Sequence, residues 1–371
     1  MKNVWHFYNN FDVLRVLYQR YRKSGRFYDT FDALRTLYQR YRKIGVVMLF
    51  CILISVLTAC GNTGQNDAGP SPAPVPELQS ICVYTIADLF AQMEAIFDAD
   101  NGALWGVHLH APFVIGCAVT REAVANVQHN DNLFVRHETG VYVGQLRRAV
   151  PIDNTAAYVD DRKWGIVPWR VVEYYDPDYI VRLMIHEGFH TWQSRLFTGI
   201  RTGTFPTHTE SFYSRLTISL ELNALIHALE TSGEERLQAI YDALSIRAKR
   251  QYLNAGNPGA RESAIEVAEG TAVYTEIRLT LHCMNDIVTE IKWRLDELHN
   301  DSFIAIGYTM GALYGILLSE IGADWKTGLN WNADLSILLQ EAAGISELTP
   351  FYELDLERYG YSKIRAEISG G

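Results

Sequence analysis

The sequence predicts an α+β protein, a small mixed or antiparallel sheet followed by a mostly helical part. Three observations predict it. Between Val107 and Val172 short β-rich runs (VHLHAPFVIG, LFVRHE, GVYVGQL, AAYVDD and KWGIVPWRVV) are separated by Gly, Asn and Asp turns. From Asp176 onward helix-period segments follow one another with only short breaks. The first eighty residues differ from both in composition and read as a separate leader and tether.

The chain has 371 residues, 48% of them hydrophobic and 20% charged, enough to bury a sizeable core. Residues 1–59 form the first unit. Phe7 to Gly25 (FYNNFDVLRVLYQRYRKSG) recurs as Phe27 to Gly45 (FYDTFDALRTLYQRYRKIG), a tandem duplication. Two copies are too few for a solenoid. The duplication reads either as a basic, aromatic membrane-surface helix or as an upstream stretch ahead of the true start. The next segment resembles a bacterial lipoprotein signal: Arg40-Tyr41-Arg42-Lys43, an apolar run from Ile44 to Leu57, then Leu57-Thr58-Ala59-Cys60. The resemblance implies that Cys60 is lipidated and that residues 1–59 are removed. The competing reading is an uncleaved membrane anchor. Residues 60–80 are rich in Gly, Pro, Ser and Ala and read as a flexible tether.

Charge separates the units. Residues 1–59 hold ten of the 33 Lys+Arg and three of the 43 Asp+Glu, so the remainder holds 23 and 40, a net charge of −17. That balance argues against a nucleic-acid partner. Outside the signal and Cys60, the cysteines are Cys82, Cys117 and Cys283, an odd number that permits one disulfide such as Cys82–Cys117.

The folded unit is expected over 81–371, with a β-rich part at 81–175 and a helical part at 176–371. Tyr84 to Asp98 predicts a first helix, and the β-rich runs predict about four strands. His108 and His110, two apart on a strand, would share a face and are a metal-binding alternative. Asp176-Pro177 is an N-cap followed by proline at the first helical position. It opens a helix containing His186-Glu187-Gly188-Phe189-His190. Residues four apart share a helix face, so His186 and His190 can present two imidazoles to one Zn²⁺, with Glu187 beside them as a general base for water. Further helices are expected at Thr209–Leu229, Glu234–Tyr252, Arg261–Cys283, Ile287–Leu298, Phe303–Ile321 and Asp334–Ala343. The small residues of GYTMGALYGILLSEIG mark a closely packed core helix.

A catalytic zinc site needs a third protein ligand. A histidine six residues after His190 is ruled out, because that position is Leu196. Three glutamates are candidates: Glu210, twenty residues after His190; Glu221, in mid-helix; and Glu269. Glu262, Glu266, Glu269 and Glu276 recur as one acidic stripe on an otherwise apolar helix, and Gly270 and Ala272 would let that helix pack closely on the metal helix.

H-E-x-x-H followed downstream by Glu269-Gly270-Thr271-Ala272-Val273-Tyr274-Thr275-Glu276 resembles the gluzincin group of zinc metallopeptidases, thermolysin-like in fold. The resemblance implies a zincin-like catalytic domain in which His186, His190 and Glu269 hold Zn²⁺ and Glu187 is the base. Thermolysin-like proteins carry an acidic residue a few positions after the ligand glutamate. Here that region is Ala272-Val273. The group orienting a ligand histidine is therefore left among Glu266, Glu276 and Glu221, and Glu266 and Glu276 also suit a solvated face. The oxyanion donor is left among Tyr274, Tyr252 and His208.

The expectation is a lipid-anchored metallopeptidase of a bacterial cell envelope, acting outside the cytoplasm on a peptide or protein substrate. Two alternatives stand beside it: a surface lipoprotein that binds a peptide or partner without turnover, and a zinc hydrolase of a non-peptide bond. A general base beside two metal ligands argues against the first.

Overall fold

Six short strands build one mixed sheet. They are β1 (Phe113–Gly116), β2 (Glu122–Ala125), β3 (Phe134–Arg136), β4 (Tyr142–Gln145), β5 (Thr155–Val159) and β6 (Arg162–Pro168), in the spatial order β3-β4-β2-β1-β6-β5. Every pair is antiparallel except β1 with β6, which run parallel with Ile115 opposite Val167. All four residues of β1 are buried, as are the last five of β6. Near-continuous apolar runs mark strands covered on both faces. One face closes over Val114, Ala123, Ala125, Phe134, Trp164 and Ile166.

The computed structural model describes residues 81–129, 134–159, 161–201, 211–253, 258–298 and 303–370. The duplication, the signal with Cys60, the tether, His208 and Glu210 lie outside them. Pro76–Val172 and Asp176–Gly371 form one compact unit, so the β-rich and helical parts share a core. No helix among the described residues is long and apolar enough to cross a membrane. Cys82, Cys117 and Cys283 form no disulfide with one another.

Helix α1 (Val83–Asp100) precedes the sheet and sets Phe90 against Phe113 of β1, ring centres 6.2 Å apart. After the short α2 (Trp169–Tyr174), the long α3 (Pro177–Leu196) packs against β5, β6 and α1. Its start is as the sequence predicts: the Asp176 side chain accepts from Asp178 N at 2.9 Å, with proline at the first position. Helices α4 (Phe212–Glu230), α5 (Gly233–Leu253) and α6 (Pro258–Ile265) follow. A π-helical turn (Glu266–Gly270) then leads into α7 (Thr271–Thr280), α8 (Met284–Leu298), α9 (Phe303–Glu320), α10 (Leu335–Ala342) and α11 (Tyr361–Gly370).

Four expectations need correction. The sheet has six strands rather than about four, and β2 (Glu-Ala-Val-Ala) escapes notice because its composition favours a helix and only pairing on both sides makes it a strand. His108 and His110 precede β1 in irregular chain, so no strand face unites them; they pair instead with Asp98 (3.0 Å) and Glu94 (2.6 Å) of α1. The helix expected at Arg261–Cys283 is broken by the π turn and ends at Thr280. Gly270 makes its close approach to α9 rather than to the metal helix. A Cβ there would lie 2.5 Å from Gly311 Cα, and one on Gly311 would lie 2.4 Å from Glu266 O. The α9 segment is the packed core helix its small residues predict, with Ala312, Leu313, Tyr314 and Ile316 fully buried.

Candidate metal centre

On α3 the apolar residues Met184, Ile185 and Phe189 are buried to 0% exposure, worth about 1.5–3 kcal/mol each. They fix the rotation of the helix. Trp105 completes the wall behind it: the indole stacks on Phe189 at 4.9 Å, meets Trp325 at 5.7 Å and donates from Nε1 to Thr275 Oγ1 at 2.9 Å. With α3 seated against α7, His186, Glu187 and His190 face the π turn.

There Glu269 meets both imidazoles. Its Oε2 lies 3.1 Å from His190 Nε2 and 3.6 Å from His186 Nε2. One ligand atom from each of the three residues lies within 4.8 Å of the others, so this group could hold a metal ion. It is the one group of three or more such side chains among the described residues.

The remaining ring nitrogens are engaged. His186 Nδ1 lies 3.2 Å from Glu276 Oε2, and Glu276 is in turn held by Arg294. His190 Nδ1 lies 2.8 Å from Gln193 Oε1, while Gln193 Nε2 donates to Ala268 O and to Thr271 Oγ1 at 3.1 Å. Because Gln193 spends its amine on those two acceptors, its oxygen must accept from His190. Both rings therefore present Nδ1–H to these partners and turn Nε2 toward Glu269. This is how metal-binding imidazoles are oriented.

The electrostatics favour positive charge between these residues. Burial lowers the basicity of His186, yet hydrogen bonds to Glu269 and Glu276 outweigh it and lift the ring to about 10. Burial also works against the Glu269 carboxylate, but hydrogen bonds from His186 and His190 hold it well below its ordinary range. Glu276 likewise stays below the ordinary value, since Arg294 and His186 overcome its burial. Glu187 behaves differently: burial pushes it up against the pull of His190 and His186. A carboxyl group with raised proton affinity beside the ligand atoms suits a general base. With both imidazoles neutral, as metal binding requires, Glu187, Glu269 and Glu276 carry three negative charges against the two positive charges of Arg294 and Lys163. That negative balance suits a metal cation, and two nitrogens with one carboxylate oxygen match zinc's donor preferences.

Of the proposed third ligands, Glu269 reaches the histidines and Glu221 does not; Glu210 lies outside the described residues. Glu221 is fully buried elsewhere, paired with Arg250 and Arg247 and accepting from Tyr314 Oη at 2.6 Å. Glu266 forms a two-pronged pair with Arg247 (2.7 and 2.9 Å), and Glu262 forms one with Arg250 (2.9 Å each). Of the three candidates to orient a histidine, Glu276 alone is placed to do it. The solvated-face reading of Glu266 and Glu276 fails, because they are 0% and 4% exposed.

Neither described tyrosine expected as oxyanion donor serves the cluster. Tyr274 sits between Trp105 and Trp325 with its hydroxyl 2.9 Å from Ser319 Oγ, and Tyr252 is exposed. The tyrosine that lies against the cluster is Tyr308 of α9. Its ring stacks on His186 at 5.9 Å and 5°, and its hydroxyl feels the Glu269 carboxylate. Burial, followed by the Glu269 charge, keeps its proton bound well above the ordinary tyrosine range. Lys163 of β6 was equally unforeseen: Nζ donates to the His190 carbonyl at 2.8 Å. Burial pulls that lysine below its usual value while Glu187 and Glu269 act to raise it. Nothing in the local sequence marks Tyr308 or Lys163, and Gln193, three residues after His190, was the one orienting residue within reach of motif reasoning.

The chain matches no family model, no curated protein and no solved structure. Its chemistry is carried by the geometry of the site.

Proposed function

We propose that this chain is a zinc metallopeptidase, exported and held at a bacterial membrane through lipidated Cys60, that hydrolyses peptide bonds outside the cytoplasm. The observation that carries the proposal is the convergence of His186, His190 and Glu269 on one point beside the buried carboxyl of Glu187. The resemblance to gluzincins rests on the same residues.

Bound Zn²⁺ would supply a Lewis acid that acidifies water and polarises a carbonyl. Glu187 takes the proton from water as it attacks and delivers it to the leaving amine, and its raised proton affinity favours that uptake. Tyr308 keeps its proton and offers it as a hydrogen bond to the oxygen that gains charge. Glu276 and Gln193 hold the ligand rings in one tautomer, and Arg294 keeps Glu276 ionised.

The test is elemental analysis of the full chain together with digestion of a mixed peptide library. About one zinc per chain is expected, lost in His186→Ala and Glu269→Gln. Glu187→Gln should retain the metal while kcat falls roughly 10²–10⁴-fold. A chain that takes up no zinc when it is supplied would sink the proposal. Full zinc with no turnover of any peptide would leave a binding lipoprotein or a hydrolase of another bond.

A further inference from the structure

Lys163 is a cation at the site that makes no direct ion pair among the described residues, although the charges of Glu187 and Glu269 reach it. It lies on β6 opposite Tyr158 of the edge strand β5, half-buried, and its single bonded partner among the described residues is the main-chain oxygen of His190. An ammonium has three donors, so two remain. Arg201, on the chain leaving α3, is exposed and also lacks a carboxylate partner among the described residues; its charge is felt at both Lys163 and Tyr308.

Counting charge gives the direction. Glu187, Glu269 and Glu276 contribute −3, Arg294 and Lys163 +2, and the divalent ion of the proposed centre +2. The loaded site is therefore left at +1, before Arg201 adds another, in a chain whose residues 60–371 carry −17. This cationic corner runs against the charge of the rest of the protein.

We propose that Lys163, flanked by Arg201, receives a carboxylate of the substrate close to the scissile bond, so that the enzyme selects peptides bearing a negative charge there. The inference rests on the metallopeptidase reading. The carboxylate has two sources, the free C-terminus of a peptide or the side chain of an internal Asp or Glu.

The experiment measures binding rather than turnover. The zinc-loaded full chain in detergent, silenced by Glu187→Gln, is titrated by fluorescence anisotropy with matched peptides. One pair differs in a C-terminal acid or amide, the other in an internal Asp or Asn. The carboxylate form of at least one pair should bind roughly 10- to 100-fold tighter, the range of one charge-assisted hydrogen bond. Preference for the C-terminal acid assigns the corner to exopeptidase action, and preference for internal Asp to an endopeptidase. Lys163→Met should erase the preference with zinc content unchanged, Lys163→Arg should restore it, and Arg201→Met should reduce it several-fold. Equal binding of acid and neutral forms, or equal weakening of both by Lys163→Met, would overturn the proposal. A chain that binds no zinc fails at the earlier step, which the metal analysis reads separately.

Discussion

Two buried clusters of glutamates flank the π turn, and they differ in where their positive charge comes from. On one side Glu262 and Glu266, with Glu221, are met by Arg250 and Arg247, each guanidinium gripping a carboxylate with two hydrogen bonds. On the other, Glu269 faces the Nε2 atoms of two imidazoles, and Glu276 lies between His186 Nδ1 and Arg294. The first cluster is supplied with cations by the chain. In the second, Glu269 is left to the imidazoles, and the proposed metal ion would supply the remaining charge. Four glutamates within fifteen residues of one helical segment thus do two jobs, and the partner alone separates scaffold from site.

Removing a built-in cation should have the largest effect. Arg250→Ala strands Glu221 and Glu262 in a dry interior and is expected to cost about 3–5 kcal/mol in denaturant unfolding. Zinc per folded chain should stay unchanged. If zinc is lost under native conditions as well, the clusters are one unit and the contrast collapses.

Acidity should separate them next. Burial, only partly offset by Arg247, raises Glu266 from an unfolded value near 4.5 to about 7. A raised carboxyl contributes stability that is full below its unfolded value and lost as pH climbs through about 7. Wild type should therefore lose on the order of 3 kcal/mol relative to Glu266→Gln between pH 4.5 and 8. Parallel stability curves for the two proteins would show that Glu266 is ionised throughout.

The smallest effect belongs to the orienting carboxylate of the second cluster. Glu276→Gln keeps an acceptor for His186 Nδ1 but removes the charge, and zinc affinity by competitive chelation should fall roughly 10- to 100-fold. An unchanged affinity would demote Glu276 to a packing partner of Arg294. A loss of folding instead would place it with the arginine cluster.

The helices were largely legible in the sequence, because a 3.6-residue period, an Asp-Pro start and the i, i+4 histidines all express local covalent geometry. Most expected helix boundaries lie within three residues of the observed ones; Ile287–Leu298 and Arg261–Cys283 begin three residues away, and the latter also ends three residues early. Glu187 and the two histidines could be named for the same reason. The strand β2 was hidden because its four residues carry no β signal and become a strand through two neighbours distant in sequence. Tyr308 and Lys163 were hidden because they arrive from α9 and β6, carried there by packing rather than spacing.

Sequence alone determined the pair of imidazoles with Glu187 beside them and the stripe of four glutamates beside an apolar face. Which glutamate meets which cation was decided only by tertiary structure. On an uninterrupted α-helix Glu262, Glu266, Glu269 and Glu276 would share one face. The π turn at Glu266–Gly270, seated against Gly311, inserts a residue and rotates the rest of the helix by about 100°. Glu262 and Glu266 are left toward the arginines, and Glu269 and Glu276 are swung toward the histidines.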